Sequence, residues 1–405
     1  MSGIVLYDDA VARGFAPFVR TRPVGELVAG AMLTRRRWAA VLGRPAVGFV
    51  SAPHLAAFEE FDAPAAITAT IPAGTWLVNS RCCPTLDVAA APAATVLVID
   101  GVVGAVRLSE PLPLSAVADG AVTLDSLAPR TGIRATLAGW WMGAVWDLVG
   151  HLPAMLAADA AALAERDART AATTPVPTDV HVLGSHPVVI AADARIEPQV
   201  VIDATAGAVV IGAGAVVQAF TRLQGPVVIA PGASVLGGRL ACVTIGEGAK
   251  VHGELSVAIV IGHANKGHDG FVGHSVIGRW ANLGAGTITS NLKNSYGPVS
   301  CWTPAGMRET GLQFLGALIG DHVKTGIGTR LTTGSVIGAG ANVVVAGVAP
   351  KLVPPFAWGA PEDGGTFALE KFEAVAERVM ARRGVVLTDG GRAQLRAAHA
   401  TRDAG

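Results

Sequence analysis

The chain has 405 residues and equal numbers of basic and acidic side chains, 31 of each, so its formal charge is zero. That balance supplies no general field for a nucleic acid or an anionic membrane surface, and it excludes polyanion binding as the main role. With 51% apolar residues, 50 Gly and 5% aromatics, the composition suits small β-branched side chains in repetitive packing and excludes disorder over most of the length.

In chain order, Ile4 to Tyr7, Trp76 to Val78 and Thr95 to Ile99 are short apolar runs bounded by Asp, Asn, Gly and Pro, which predicts strands. A helix is expected around Leu27 to Leu42, making residues 1–148 an α/β layer of nucleotide-binding type. Residues 149–178 read as a helical connector, His151 to Thr170, followed by a linker at Thr173–Pro177. Residues 361–405 form a helical segment in which Ala368, Phe372, Val375 and Val379 share one face, expected to cover the open end of the preceding domain. No apolar run approaches the roughly 18 residues that span a bilayer, and no leader pattern opens the chain, so the expectation is a soluble, cytoplasmic protein without a membrane partner. Cys82, Cys83, Cys242 and Cys301 show no paired framework and read as reduced, buried small hydrophobes.

Between residues 179 and 360 the apolar period is neither 2 nor 3.6 but six. Ile190, Ile196 and Ile202 begin the beat; Ile211, Val217, Leu223, Ile229 and Val235 continue it, then Ile245, Val251 and Val257. It resumes at Phe271, Ile277 and Leu283, and at Ile319, Thr325, Leu331, Ile337 and Val343. A hexapeptide period predicts a parallel β-helix, a triangular prism in which each short strand turns one aliphatic side chain inward and small or left-handed residues make the corners.

Regular coils are inert, so chemistry is expected where loops interrupt them. The largest interruption runs from Thr289 to Phe314, just after the polar stretch Gly262 to Gly270. Asn265-Lys266-Gly267-His268-Asp269-Gly270-Phe271-Val272-Gly273-His274, then Asn282-Leu283-Gly284-Ala285-Gly286-Thr287 and Ser290-Asn291-Leu292-Lys293-Asn294, resemble the acetyltransferase half of bifunctional UDP-N-acetylglucosamine pyrophosphorylase/glucosamine-1-phosphate N-acetyltransferases. The likeness is greatest to an alternative branch of sugar nucleotidyltransferases, with Glu309 to Gly316, Pro354 to Gly359, Thr21 to Leu27 and Trp146 to Leu148 also similar.

The resemblance implies a left-handed β-helix that uses acetyl-CoA as co-substrate to acetylate an amino sugar phosphate, in a homotrimer with its site between two prisms. It assigns the general base to His268, with Asp269 orienting the ring or holding the amine. Imidazole suits that task because a sugar ammonium must lose a proton before its nitrogen attacks a thioester. Asn282 and Asn291 match sugar- and donor-binding positions, and Lys266 and Lys293 supply cations for phosphate oxygens. The Asn-Tyr pair of the better-known branch is Asn291-Leu292 here, with Tyr296 farther on, which puts the acceptor in doubt. Set against these roles, a histidine or asparagine at a coil corner commonly serves the turn alone, and Lys293 and Lys324 equally suit a solvated face. A different class also uses these residues. His263, His268 and His274 recur at near-hexad spacing, and hexapeptide carbonic anhydrases hold zinc with three such histidines.

In the N-terminal domain the resemblance calls for a Gly-rich loop after the first strand and an acidic Mg²⁺ ligand after a later one. Asp8-Asp9-Ala10-Val11-Ala12-Arg13-Gly14 lacks the glycines, and Asn79-Ser80-Arg81 places a guanidinium where the carboxylate is expected. Arg20 and Arg22 are candidates for nucleotide phosphates, with Glu26 orienting them and Asn79 and Arg81 completing the set; a salt-bridged loop is the equal alternative. Asp8, Asp9, Asp100 and Asp147 remain open as replacement Mg²⁺ ligands. Nucleotidyl transfer giving UDP-N-acetylglucosamine is therefore left open, beside a catalytically silent sugar-nucleotide-binding scaffold.

Overall fold

The computed structural model describes residues 3–87, 93–170, 172–359 and 365–403; the border expected at 360/361 lies outside the described residues. Two compact units divide between Asp147 and Leu148, and the chain rejoins the first unit from Leu387 onward.

In the first unit a six-stranded mixed sheet runs in the order 134–137, 96–99, 102–107, 76–79, 4–7, 46–50. Ile4–Tyr7 pairs in parallel with strands 46–50 and 76–79, and all four of its residues are buried. Alternation then feeds two cores: Ile4 and Leu6 pack with Trp38 and Val41, while Val5 and Tyr7 pack with Ile71, Leu77 and Leu124. The helix expected from Leu27 is shorter. Residues 24–26 make a 3-10 turn, and Val28–Ala29 folds onto Met32–Leu33 about Gly30, whose φ of +64° suits a tight reversal. Only then does α1 (Thr34–Leu42) begin. Strands 76–79 and 96–99 form where expected.

The second unit opens beside the one-turn α2 (Asp147–Gly150) and continues into α3 (Leu152–Thr170). It is a left-handed parallel β-helix of about ten turns. Its interior is built of three inward columns. One contains Ile190, Ile211, Ile229, Ile245, Val260, Ile277, Ile319, Ile337 and Val353; another contains Ile202, Leu223, Leu240, Leu255, Val272, Leu331 and Ala349. The hexad beat holds through Val251, but Val257 and Phe271 are only half-buried and the inward residues are Ala258 and Val272. The reason is coil length. Successive members of the first column are 21, 18, 16, 15 and 17 residues apart as far as Ile277, so a strict 18-residue count runs out of register there.

The helix α3 packs across strands 209–211, 221–229 and 234–245, and the outward residues Val210, Val228, Thr244 and Ile259 are buried at 5% exposure or less. The long interruption is a hairpin, Ser300–Thr303 against Gly306–Glu309. After it, α4 (Leu369–Ala381) places Phe372 and Ala376 inward. Rather than lying only over the last coil, this helix runs back along one corner, and Arg383 just beyond it donates to Gly248 O at 3.0 Å. The last helix, α5 (Asp389–Ala400), is capped by Thr388, whose Oγ1 accepts from Gly391 N. It belongs to the first unit, where Gln394 Nε2 donates to Thr21 O at 2.9 Å.

Candidate functional site

The three columns fix three corner rows. His263 lies on the corner after Val260, His268 on the next, and His274 on the third, so the three histidines occupy different corners of one prism. They do not converge, and among the described residues no group of three or more His, Cys, Asp or Glu is placed to hold a metal. The zinc reading fails for this geometric reason. Near-hexad spacing walks a residue from corner to corner instead of stacking it on one.

His268 is exposed, and so is Asp269 beside it. Asp269 Oδ1 lies 3.2 Å from His252 Nδ1 on the preceding coil, so the aspartate faces that histidine rather than orienting the His268 ring. Lys266 takes an inward position, in register with Val251, and is only 3% exposed. Its Nζ donates to His252 O at 2.8 Å and to His268 O at 2.7 Å. Burial pushes its pKa down to about 8. The expectation that Lys266 meets substrate phosphate is corrected by this placement: its ammonium lies under the corner and ties two coils together.

Across the adjoining face, Phe271 and Gly273 lead to His274, a corner residue with φ +48°. The His274 ring stacks on Phe314 with centroids 5.1 Å apart, and its Nδ1 lies 2.8 Å from Asn291 Nδ2. Burial pushes this histidine down to about 4, so at neutral pH it is an uncharged ring that accepts from the Asn291 amide. The sequence pattern offers His274 only as a zinc ligand; its partners Asn291 and Phe314 come from the interrupting loop, which the local motif does not show.

Asn282 lies on a different face from Asn291, in an outward row formed by Lys250, Asn265, Asn282, Lys324, Asn342 and Trp358. Its Oδ1 accepts from Asn265 Nδ2 at 2.9 Å. Lys293 is spent within the hairpin loop, donating to Pro298 O. Lys324, read as solvated or functional, donates to Trp280 O and His322 O, and burial takes it down to about 7.

In the first unit, the carboxyl ends of strands 4–7 and 76–79 bring Asp9, Asn79 and Arg81 together beside a cavity of about 300 Å³ that Trp141 also lines. Arg81 donates to both Asp9 oxygens, at 2.8 and 2.5 Å, and lies over the Trp141 ring. Asn79 Nδ2 adds a third hydrogen bond to Asp9 at 2.8 Å. Burial alone would raise Asp9, but the Arg81 hydrogen bond and charge outweigh it and hold the carboxylate below its usual range. Asp8 is buried and raised by desolvation, with Oδ2 already accepting from Ser51 and Val24 N. Asp147 accepts from Gly143 N and Ala144 N. These residues do not fit Mg²⁺, because a guanidinium already neutralises the best-placed carboxylate.

Arg20, Arg22 and Glu26 are not at this site. Arg20 donates to Thr401 O, Arg22 pairs with Glu60 at 2.9 Å at 2% exposure, and Glu26 pairs with Arg35 at 2.5 Å. For Arg22 and Glu26 the expected nucleotide role gives way to the salt-bridged alternative, since buried charges already matched to opposite ones leave no face for a phosphate; Arg20 is half-buried and holds a backbone carbonyl.

Residues 4–168 match the family model for sugar nucleotidyl transferase. An uncharacterized acetyltransferase, YaiX, of Escherichia coli O6:K15:H31 is 36% identical over 155 residues, 35% of this chain and 64% of that protein. The bifunctional protein GlmU of Methanococcus vannielii is 36% identical over 96 residues, 23% of each chain. A bifunctional sugar-1-phosphate nucleotidylyltransferase/acetyltransferase of Sulfurisphaera tokodaii is 34% identical over 90 residues, 22% of each. The chain thus spans just under two thirds of the first relative and less than a quarter of the other two. Among solved structures, the polysialic acid O-acetyltransferase OatWY matches 45% of this chain and 85% of its own at 14% identity, with a TM-score of 0.30. No helix among the described residues is long and apolar enough to cross a membrane.

Proposed function

We propose that the β-helix unit is an acetyl-CoA-dependent N-acetyltransferase acting on an amino sugar phosphate, with His268 as general base. The observation that carries this reading is an exposed imidazole on a corner whose backbone is fixed from inside by Lys266. A base must be held still at the protein surface to meet two substrates, and the buried ammonium holds the His268 carbonyl without touching its ring. The imidazole takes a proton from the sugar amine as nitrogen attacks the thioester carbonyl. The tetrahedral adduct then expels the CoA thiolate, which is protonated as the amide forms. The names of the acetyltransferase relatives support the same reaction class.

The corner row of His268 also shows large apolar side chains to solvent: Phe220 at 78% exposure and Ile327 at 87%, with Val344 and Val348. These support a homotrimer in which a second copy covers that edge and completes the site. For the first unit, the Asp9–Arg81 pair favours binding of a sugar nucleotide over nucleotidyl transfer. The test is acetyl-CoA turnover with glucosamine-1-phosphate, and pyrophosphate release from UTP with Mg²⁺ in parallel. Acetyl transfer without pyrophosphate release is the expected pattern. Absence of acetylation with any amino sugar removes the reading.

A further inference from the structure

Between α4 and the outward row of Asn265 and Asn282 lies a cavity of about 240 Å³, lined among others by Lys250, Lys324, Arg382 and Arg383, with no carboxylate among its described lining residues. Lys250 and Arg382 are exposed at its edge; their backbone N–H groups donate to Ala264 O and Arg378 O, and among the described residues their side chains make no ion pair or hydrogen bond. Arg383 spends one N–H on Gly248 O, while Lys324 already serves two carbonyls. Three cationic side chains thus line one space, and among its described lining residues none is opposite in charge. In the Asn265–Asn282 pair only one amide N–H and one oxygen are used, which leaves a donor on Asn282 and an acceptor on Asn265. Lys324 also lines a second cavity of about 480 Å³, whose walls include the apolar Trp358, Phe367 and Val375 together with Glu370, Lys371 and Arg378.

We propose that this groove binds a phosphate- or diphosphate-bearing small molecule, its anionic group held by Lys250, Arg382 and Arg383 and its remainder extending past Lys324. Arginine forks match phosphate oxygens bidentately, and the two asparagines suit hydroxyls next to the phosphate. None of these cations belongs to the His268 corner, so the site stands or falls independently of acetyl transfer.

The test is calorimetric titration of the full chain with pyrophosphate and with inorganic phosphate at matched ionic strength. Wild type, Lys250→Ala/Arg382→Ala and Arg81→Ala are compared, the last as a control for the cavity of the first unit. Both groove positions are exposed, and circular dichroism confirms that the double variant is folded. The expected result is pyrophosphate binding weakened at least tenfold in the double variant and retained in Arg81→Ala. Equal affinity in wild type and the double variant, or no binding in wild type, overturns the proposal. Displacement of pyrophosphate by glucosamine-1-phosphate marks a sugar phosphate as the source of the anion, and displacement by CoA marks a nucleotide. Displacement by neither also overturns it.

Discussion

Two corners of the same prism carry a histidine and surround it in opposite ways. On the corner of His263, left-handed residues follow one another: Gly248, His263, Trp280, His322, Gly340 and Phe356 all have φ between +50° and +72°. His263 packs on Trp280 at 4.7 Å, His322 meets Phe372 of α4 at 5.7 Å, and Phe372 meets Phe356 edge-on at 5.0 Å. Gly340 leaves room for this ladder, since a Cβ there falls 2.5 Å from the Phe356 ring. On the corner of His268, Phe220 and Ile327 stand exposed. What differs is the cover, so an imidazole is a packing element on one corner and a candidate base on the other.

The comparison breaks most sharply at the base. His268→Ala is expected to lower acetyl transfer by about 10²–10⁴-fold while leaving the melting temperature unchanged, because an exposed ring contributes little packing. Retained turnover in that variant would remove the base assignment. On the sealed corner the order reverses. Phe372→Ala is expected to cost about 3–5 kcal/mol in the unfolding transition of the β-helix unit, since a buried ring at 2% exposure is lost. A urea midpoint that does not move would show the ladder to be incidental.

Between these extremes, Lys266→Met keeps the aliphatic stem and deletes both bonds to carbonyls. We expect kcat to fall about tenfold with KM little changed, as a positioning role requires. A change confined to KM would point instead to a substrate contact.

The smallest effect concerns His274, whose folded pKa of about 4 lies below the ordinary value of about 6.5. The unfolded chain binds the proton more readily, so stability falls as pH drops from about 6.5 toward 4 and is level below that. His274→Asn tolerates the positive φ and should flatten this acid limb. Denaturation midpoints at pH 7, 5.5 and 4 check it, and parallel curves for both proteins would contradict the assignment.

The prism was legible because its interior repeats. Ile211, Val217, Leu223, Ile229 and Val235 each take the inward place that the six-residue beat assigns. Lys266 was misread for the reason Val257 was: the coil from Val251 is 15 residues long, and shortening it brings Lys266, not Asp269, onto the inward column. A polar residue in a polar motif gives no sign of such a shift. In the first unit, Arg20 and Arg22 resembled a phosphate loop because their partners, Thr401 and Glu60, lie far away in sequence. The Asn79–Arg81 departure, by contrast, could be read directly, since a guanidinium in place of a carboxylate changes the chemistry whatever the fold.

The hairpin that interrupts the coils leaves and returns through neighbouring points, where Leu315 N donates to Asn291 O at 2.9 Å and Leu292 bridges to Phe314. Loop closure depends only weakly on the length of chain in between, so the stem sets the energy and the tip is free to vary. The protein thereby has a socket: the turn at 304–305 can be lengthened or redecorated while Val299 and Cys301, fully buried in the stem, and the aliphatic columns stay seated. Such changes alter the loop's surface without refolding the scaffold.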